Sequence, residues 1–129
     1  FPSREAAQDR YASRPPLDAL HPDALAAYVQ DGFVDQADGT VLLACRAESE
    51  AATFEADGKP TVDQLTALRI PLTIGVGALA SSPNPADFAP HLVAAVPNSR
   101  LVRYDGLGHF GPLEDPDCIA RDIRAALGR

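Results

Sequence analysis

Ile70-Pro71-Leu72-Thr73-Ile74-Gly75-Val76-Gly77 and Arg100-Leu101-Val102-Arg103-Tyr104 decide how this chain reads. The first is a largely apolar run with a proline near its start and a glycine at its end, which predicts a buried strand. Between the two, Phe88, Leu92, Ala95 and Val96 recur at helical spacing, and Pro97-Asn98 turns the chain into the second strand. Beyond a loop from Asp105 to Pro112, Ile119, Ile123 and Leu127 share one face of a final helix. Strand, helix, strand, helix at this spacing predicts a parallel βαβα unit with a right-handed crossover. Two parallel strands do not make a stable sheet alone, so this half reads as the edge of a larger one.

Working outward, the composition shifts once, near residue 60. Residues 1–60 read as polar helices joined by irregular segments. Ser3 to Arg10 is a short polar helix with Ser3 as its N-cap, interrupted further on by Arg14-Pro15-Pro16-Leu17. Pro22 opens a second helix, with Leu25, Tyr28 and Val29 on one face and Gly32 as its stop. Asp38-Gly39 marks a turn, followed by an extended run from Thr40 to Cys45 and a short helix from Glu48 to Glu55. Thr61 and Gln64 have capping-box spacing and open a helix expected over 61–69, with Leu65 and Leu68 as its buried stripe.

Bulk properties narrow the function. The 129 residues, 46% of them hydrophobic, are enough for one compact domain. No apolar run approaches the ~18 to 20 residues of a membrane span, so no membrane partner is expected. A net charge of −7 argues against a nucleic-acid partner, because phosphate backbones call for a basic stripe. Cys45 and Cys118 lie far apart without the close-spaced partners of a zinc site, and read as buried thiols. Neither a metal nor a cofactor is expected. No charged leader precedes an apolar core, which makes the cytoplasm the expected location.

Ligands of open parallel sheets bind beyond the carboxyl ends of the strands. Two loops leave such ends here, Gly77 to Pro85 and Asp105 to Pro112. The second sets His109 among Gly106, Gly108, Gly111 and Pro112. Glycines let the backbone approach its neighbours closely and aim an imidazole over the sheet edge. That context favours a general base over the structural or solvated role of most lone histidines. Elsewhere, His21 and His91 read as exposed, and Glu48, Glu50 and Glu55 as a solvated face. Tyr28 and Phe33 suit either a pocket lining or ordinary helix packing, and Phe110 either shields His109 or belongs to the core.

Strand, Gly106-Leu107-Gly108-His109-Phe110-Gly111-Pro112-Leu113-Glu114-Asp115-Pro116 and terminal amphipathic helix together resemble the C-terminal end of the α/β-hydrolase fold family. The resemblance is carried mainly by residues 70–129. It implies an α/β fold in which residues 1–60 form a helical cap or lid segment and residues 61–129 the C-terminal βαβα part of the core. The Arg14-Pro15-Pro16 and Leu20-His21-Pro22-Asp23-Ala24-Leu25 segments resemble such a cap. It further implies that His109 is the last member of a catalytic triad.

Two departures accompany it. The nucleophile elbow, Gly-x-Ser-x-Gly or its Asp or Cys variant, is absent, and none of Ser3, Ser13, Ser49, Ser81, Ser82 and Ser99 stands between glycines. The nucleophile and the oxyanion hole are therefore expected upstream of Phe1, with the N-terminal half of the same hydrolase as partner. The family's acid usually follows the glycine ending the penultimate strand, but Ala78-Leu79-Ala80-Ser81-Ser82 carries no carboxylate. Asp87 is the nearest candidate acid, with stabilisation of a helix N-terminus as its competing role. The resemblance thus implies hydrolysis of a small-molecule ester or related bond. The rival expectation is a non-catalytic remnant or binding module that keeps the fold.

Overall fold

The computed structural model describes residues 1–79 and 85–128, with the side chain of Pro85 outside that set. The chain divides into two compact units between Gly58 and Lys59.

In the first unit, α1 (Arg4–Ala12) starts where the Ser3 hydroxyl accepts from the Ala6 amide, and α2 (Pro22–Gly32) carries a proline in its first turn. Leu25 and Val29 of α2 are buried with Ala7, Leu20, Phe33 and Val41. The Phe1 ring meets those of Tyr11 and Phe33 edge-on, at 5.6 and 5.7 Å between centroids. An antiparallel hairpin follows, β1 (Phe33–Asp35) with β2 (Val41–Leu43), in which Phe33 pairs with Leu43; β2 lies inside the extended run expected from Thr40 to Cys45, whereas β1 was not expected. Each strand has only three residues and buries only its first, so no alternation accumulates. Asp38-Gly39 does form the turn, and Gly39 adopts φ +83°, a conformation open to glycine. Helix α3 (Ala47–Glu55) has no buried residue, in keeping with a solvated face for Glu48, Glu50 and Glu55.

The second unit begins with α4 (Val62–Leu65), where both halves of the Thr61/Gln64 capping box are present. The helix is shorter than its sequence suggests. Pro71 biases Ile70 away from helical geometry, and the chain slackens beforehand into an i→i+3 turn in which Leu68 N–H donates to Leu65. Then come β3 (Leu72–Gly77), a 3₁₀ turn (Pro85–Phe88), α5 (Ala89–Ala95), β4 (Ser99–Tyr104), α6 (Gly111–Glu114) and α7 (Pro116–Ala126). β3 and β4 are parallel and in register from Leu72↔Ser99 to Gly77↔Tyr104. Side chains alternate across a pleated pair, so Thr73, Gly75 and Gly77 share a face with Arg100, Val102 and Tyr104. The Arg100 guanidinium donating to Thr73 Oγ1 at 3.0 Å lies on that face.

α5 packs against both strands from the opposite face. Ser99 ties the helix end to β4, its hydroxyl lying 3.0 Å from the Val93 carbonyl and 2.7 Å from that of Val96. β3 departs from the expected buried strand. Val76 is buried, but Leu72 and Ile74 are only half-buried and Thr73 and Gly75 are exposed. Among the described residues β3 and β4 pair only with each other, so too little material covers them. The thiols also differ from expectation. Cys45 is exposed beyond the hairpin and Cys118 half-buried in the first turn of α7, so neither is a core hydrophobe. Among the described residues no helix is long and apolar enough to cross a membrane.

α7 owes its start to Asp115, whose carboxylate accepts from the Cys118 amide at 2.9 Å. Loss of an N-cap acceptor costs about 1 kcal/mol. Asp115→Ala in the complete protein should lower the denaturant midpoint accordingly with an unchanged m-value; an unshifted midpoint would show that α7 needs no cap.

Candidate functional site

The carboxyl ends of β3 and β4 are stitched together by backbone alone. Tyr104 carbonyl accepts from Ala78 N–H at 3.0 Å and from Leu107 N–H at 3.1 Å, and Leu107 carbonyl accepts from Leu79 N–H at 2.9 Å. The turn leaving β4 therefore lies directly on the end of β3. A Cβ at Gly77 would stand 1.9 Å from Gly108 O and 2.6 Å from Leu107 O, both backbone atoms. No side chain fits, so glycine at 77 is a steric requirement of the crossing.

His109 follows at once, exposed, and the Phe110 ring meets its imidazole edge-on at 5.1 Å. Phe110 is half-buried beside the exposed histidine. Gly111-Pro112 starts the one-turn helix α6, which swings Glu114 back beneath the loop. The Glu114 carboxylate accepts from Gly108 N–H at 2.6 Å and from Phe110 N–H at 3.0 Å, one amide on each side of His109. Hydrogen bonds to an ionised acceptor are the strong kind.

His109 borders hollows on both faces of the strand pair, and so stands over the sheet edge. On one side lie Ile74, Val76, Ala89 and Leu92. On the other is a cleft of about 330 Å³ between the Gly75/Val102 face and Ile119, Asp122 and Ile123 of α7. Tyr104 spans this cleft, its hydroxyl donating to Asp122 Oδ2 at 2.8 Å. Burial, then the bond to Asp122 and its negative charge, push the Tyr104 phenol above its ordinary range.

Asp87, the sequence's candidate acid, falls in the 3₁₀ turn before α5 and is exposed. It lines a hollow with Arg103 and Pro90 that shares Val76, Gly77 and Ala86 with the one beside His109, and His109 is not among its lining residues. Among the described residues, no carboxylate bonds to the His109 imidazole. Of the loop expected between Gly77 and Pro85, residues 80–84, with Ser81 and Ser82, lie outside the described residues. Ser3 and Ser99 are engaged at helix ends, and the Ser13 hydroxyl bonds the Arg10 carbonyl at 3.1 Å. His21 caps α2 through Nδ1, and exposed His91 stacks against Phe88 at 5.6 Å. Among the described residues no group of three or more His, Cys, Asp or Glu is placed to hold a metal ion.

No pattern in the sequence assigns Glu114 a role. Its signal is one carboxylate a helical turn beyond His109-Phe110 and just before a new N-cap, which is faint without coordinates.

Over 100% of its length the chain is similar to the crystal structure of E-2-(acetamidomethylene)succinate hydrolase, with a TM-score of 0.81 and 19% sequence identity. It covers 47% of that chain, about half its length. The fold is thus that of the C-terminal half of an α/β-hydrolase. No protein-family profile and no curated protein matches the sequence.

The close crossing makes Gly77 a sensitive position. Gly77→Ala should push the Leu107–Gly108 turn off β3 and destabilise the complete protein by about 1–3 kcal/mol, as overpacking does. Amide exchange at Ala78, Leu79 and Leu107 should quicken together. Unchanged exchange at all three would mean that the crossing is looser than described.

Proposed function

We propose that the chain is the C-terminal portion of an α/β-fold hydrolase acting on a small-molecule ester or related bond, with His109 as its general base. The observation that carries this reading is the delivery of a single histidine to the carboxyl edge of a parallel strand pair, on a loop bonded from two sides. Residues 1–60 are the cap segment in the same proposal. The nucleophile, oxyanion hole and orienting acid would come from a segment outside these 129 residues. The cytoplasm is the proposed location, supported by two free cysteines.

In the reaction, His109 takes the proton of the attacking nucleophile as its oxygen or sulfur bonds to the substrate carbonyl carbon. The imidazolium then gives that proton to the departing alcohol as the ester C–O bond breaks. Water then attacks the acyl carbon as His109 accepts its proton, and the imidazolium returns that proton to the nucleophile as the acyl–enzyme bond breaks. For this the imidazole must point one ring nitrogen at the nucleophile, within about 3 Å. The rival reading, a non-catalytic binding module, draws on one observation: no carboxylate among the described residues holds the imidazole.

Turnover of a short-chain nitrophenyl ester by the complete protein separates the two. His109→Ala should lower kcat/KM by about 10³-fold or more while the fold persists. A variant keeping a tenth of wild-type activity would remove His109 from the chemistry. Asp87→Asn should change activity less than about tenfold, because loss of a true triad acid costs roughly 10⁴. A loss of that size would make Asp87 the acid after all.

A further inference from the structure

We infer that Glu114 is the positioning residue of the site, the group that holds His109 in its working orientation. The inference rests on the reading of His109 as general base. It is separate from the identity of the acid, since Glu114 bonds the backbone around the histidine and not the ring.

A carboxylate near the start of a helix has an ordinary task, which is to accept from the N-cap amide. Phe110 is the N-cap of α6, and its amide is one of the two donors. The other donor, Gly108 N–H, lies outside the helix on the far side of His109, and its bond is the shorter at 2.6 Å. Capping α6 does not call for it. Its effect is on the loop.

Peptide units are planar, so fixing one group of a unit restrains the whole plane. Glu114 fixes the peptide entering Gly108 through one N–H and the peptide leaving His109 through the other. The unit between them puts its carbonyl oxygen over Gly77, where the crossing leaves no room to move inward. Three consecutive peptide planes are thereby held, and His109 Cα joins two of them. The imidazole retains its side-chain torsions, but the origin and direction of the Cα–Cβ bond are set. A misplacement of about 1 Å at a reacting group can cost about 10²-fold in rate.

The test uses the complete protein and the same nitrophenyl ester. Glu114→Gln keeps length and one acceptor oxygen but turns an N–H toward one of the amides. It should lower kcat about tenfold or more with KM within about twofold, and Glu114→Asp, which keeps charge and loses reach, should do the same. Amide exchange at Gly108 and Phe110 should quicken in both, while that of β3 and β4 stays as in wild type. Combined with His109→Ala, Glu114→Gln should leave the residual rate unchanged within about twofold, because there is no base left to misplace.

Three results would overturn the inference while the reading of His109 stands. One is a Glu114→Gln kcat within twofold of wild type beside a crippled His109→Ala. Another is the same fractional loss in both backgrounds, the mark of a merely structural role. The third is unchanged exchange at Gly108 and Phe110. A His109→Ala protein that keeps a tenth of its activity is a different failure, that of the reading on which the inference rests.

Discussion

The end of β3 touches the backbone of the loop leaving β4 with no side chain between them, and the site depends on that contact. Gly77 is where it happens, with Leu107 and Gly108 carbonyls lying where a Cβ would be. Hydrogen bonds from Ala78 and Leu79 close the crossing on the β3 side, and the Leu107 amide closes it on the β4 side. A loop held this way has lost most of its conformational freedom to the sheet, and sheets move less than loops. The histidine that follows inherits that rigidity. Its supports are main-chain groups and one carboxylate, so the geometry does not rely on packing around the ring.

The same strand pair organises two quite different faces. Toward α5 the contact is conventional, with Val76, Ala89 and Val96 buried. Toward α7 the glycines of β3 leave width, and Tyr104 crosses it to reach Asp122. The apolar side of α7 is left exposed: Ile123 keeps 54% of its surface accessible. Burial of a large aliphatic side chain stabilises by about 1.5–3 kcal/mol, and here that stabilisation is unused. This fits the proposal that a segment outside these 129 residues completes the site.

How much could be read in advance follows from the strength of each local signal. β3, β4 and the helix between them were legible because Leu72, Ile74 and Val76, then Leu101 and Val102, are bounded by proline, asparagine and glycine. Ser3, Pro22, Thr61 and Gly39 act as local chemistry predicts, since a cap or turn needs only its immediate neighbours. Of the hairpin, the Asp38-Gly39 turn and the second strand within Thr40–Cys45 were legible, but the first strand at Phe33 was not, because three residues carry no period. The end of α4 was masked by Leu65 and Leu68, which satisfy a helical stripe although Pro71 has already shortened the helix. The position of His109 at the strand ends was legible from its glycines and its place after a strand, and its role is the proposal. Asp87 stands in the 3₁₀ turn before α5 and lines a hollow with Arg103. Glu114 was hidden for a physical reason: its partners are backbone amides, which every residue has, so no residue pattern marks them.

The most direct test of the account is a crystal structure of the complete protein. The proposal that His109 acts as the base requires a nucleophilic Ser or Cys side chain, from outside these 129 residues, within about 3.2 Å of a His109 ring nitrogen. The account predicts that contact, with a carboxylate on the other ring nitrogen and the Leu107–Gly108 turn still seated on Gly77. An imidazole that faces solvent or apolar side chains alone would contradict it, and would leave this fold carrying a histidine with no chemistry to perform.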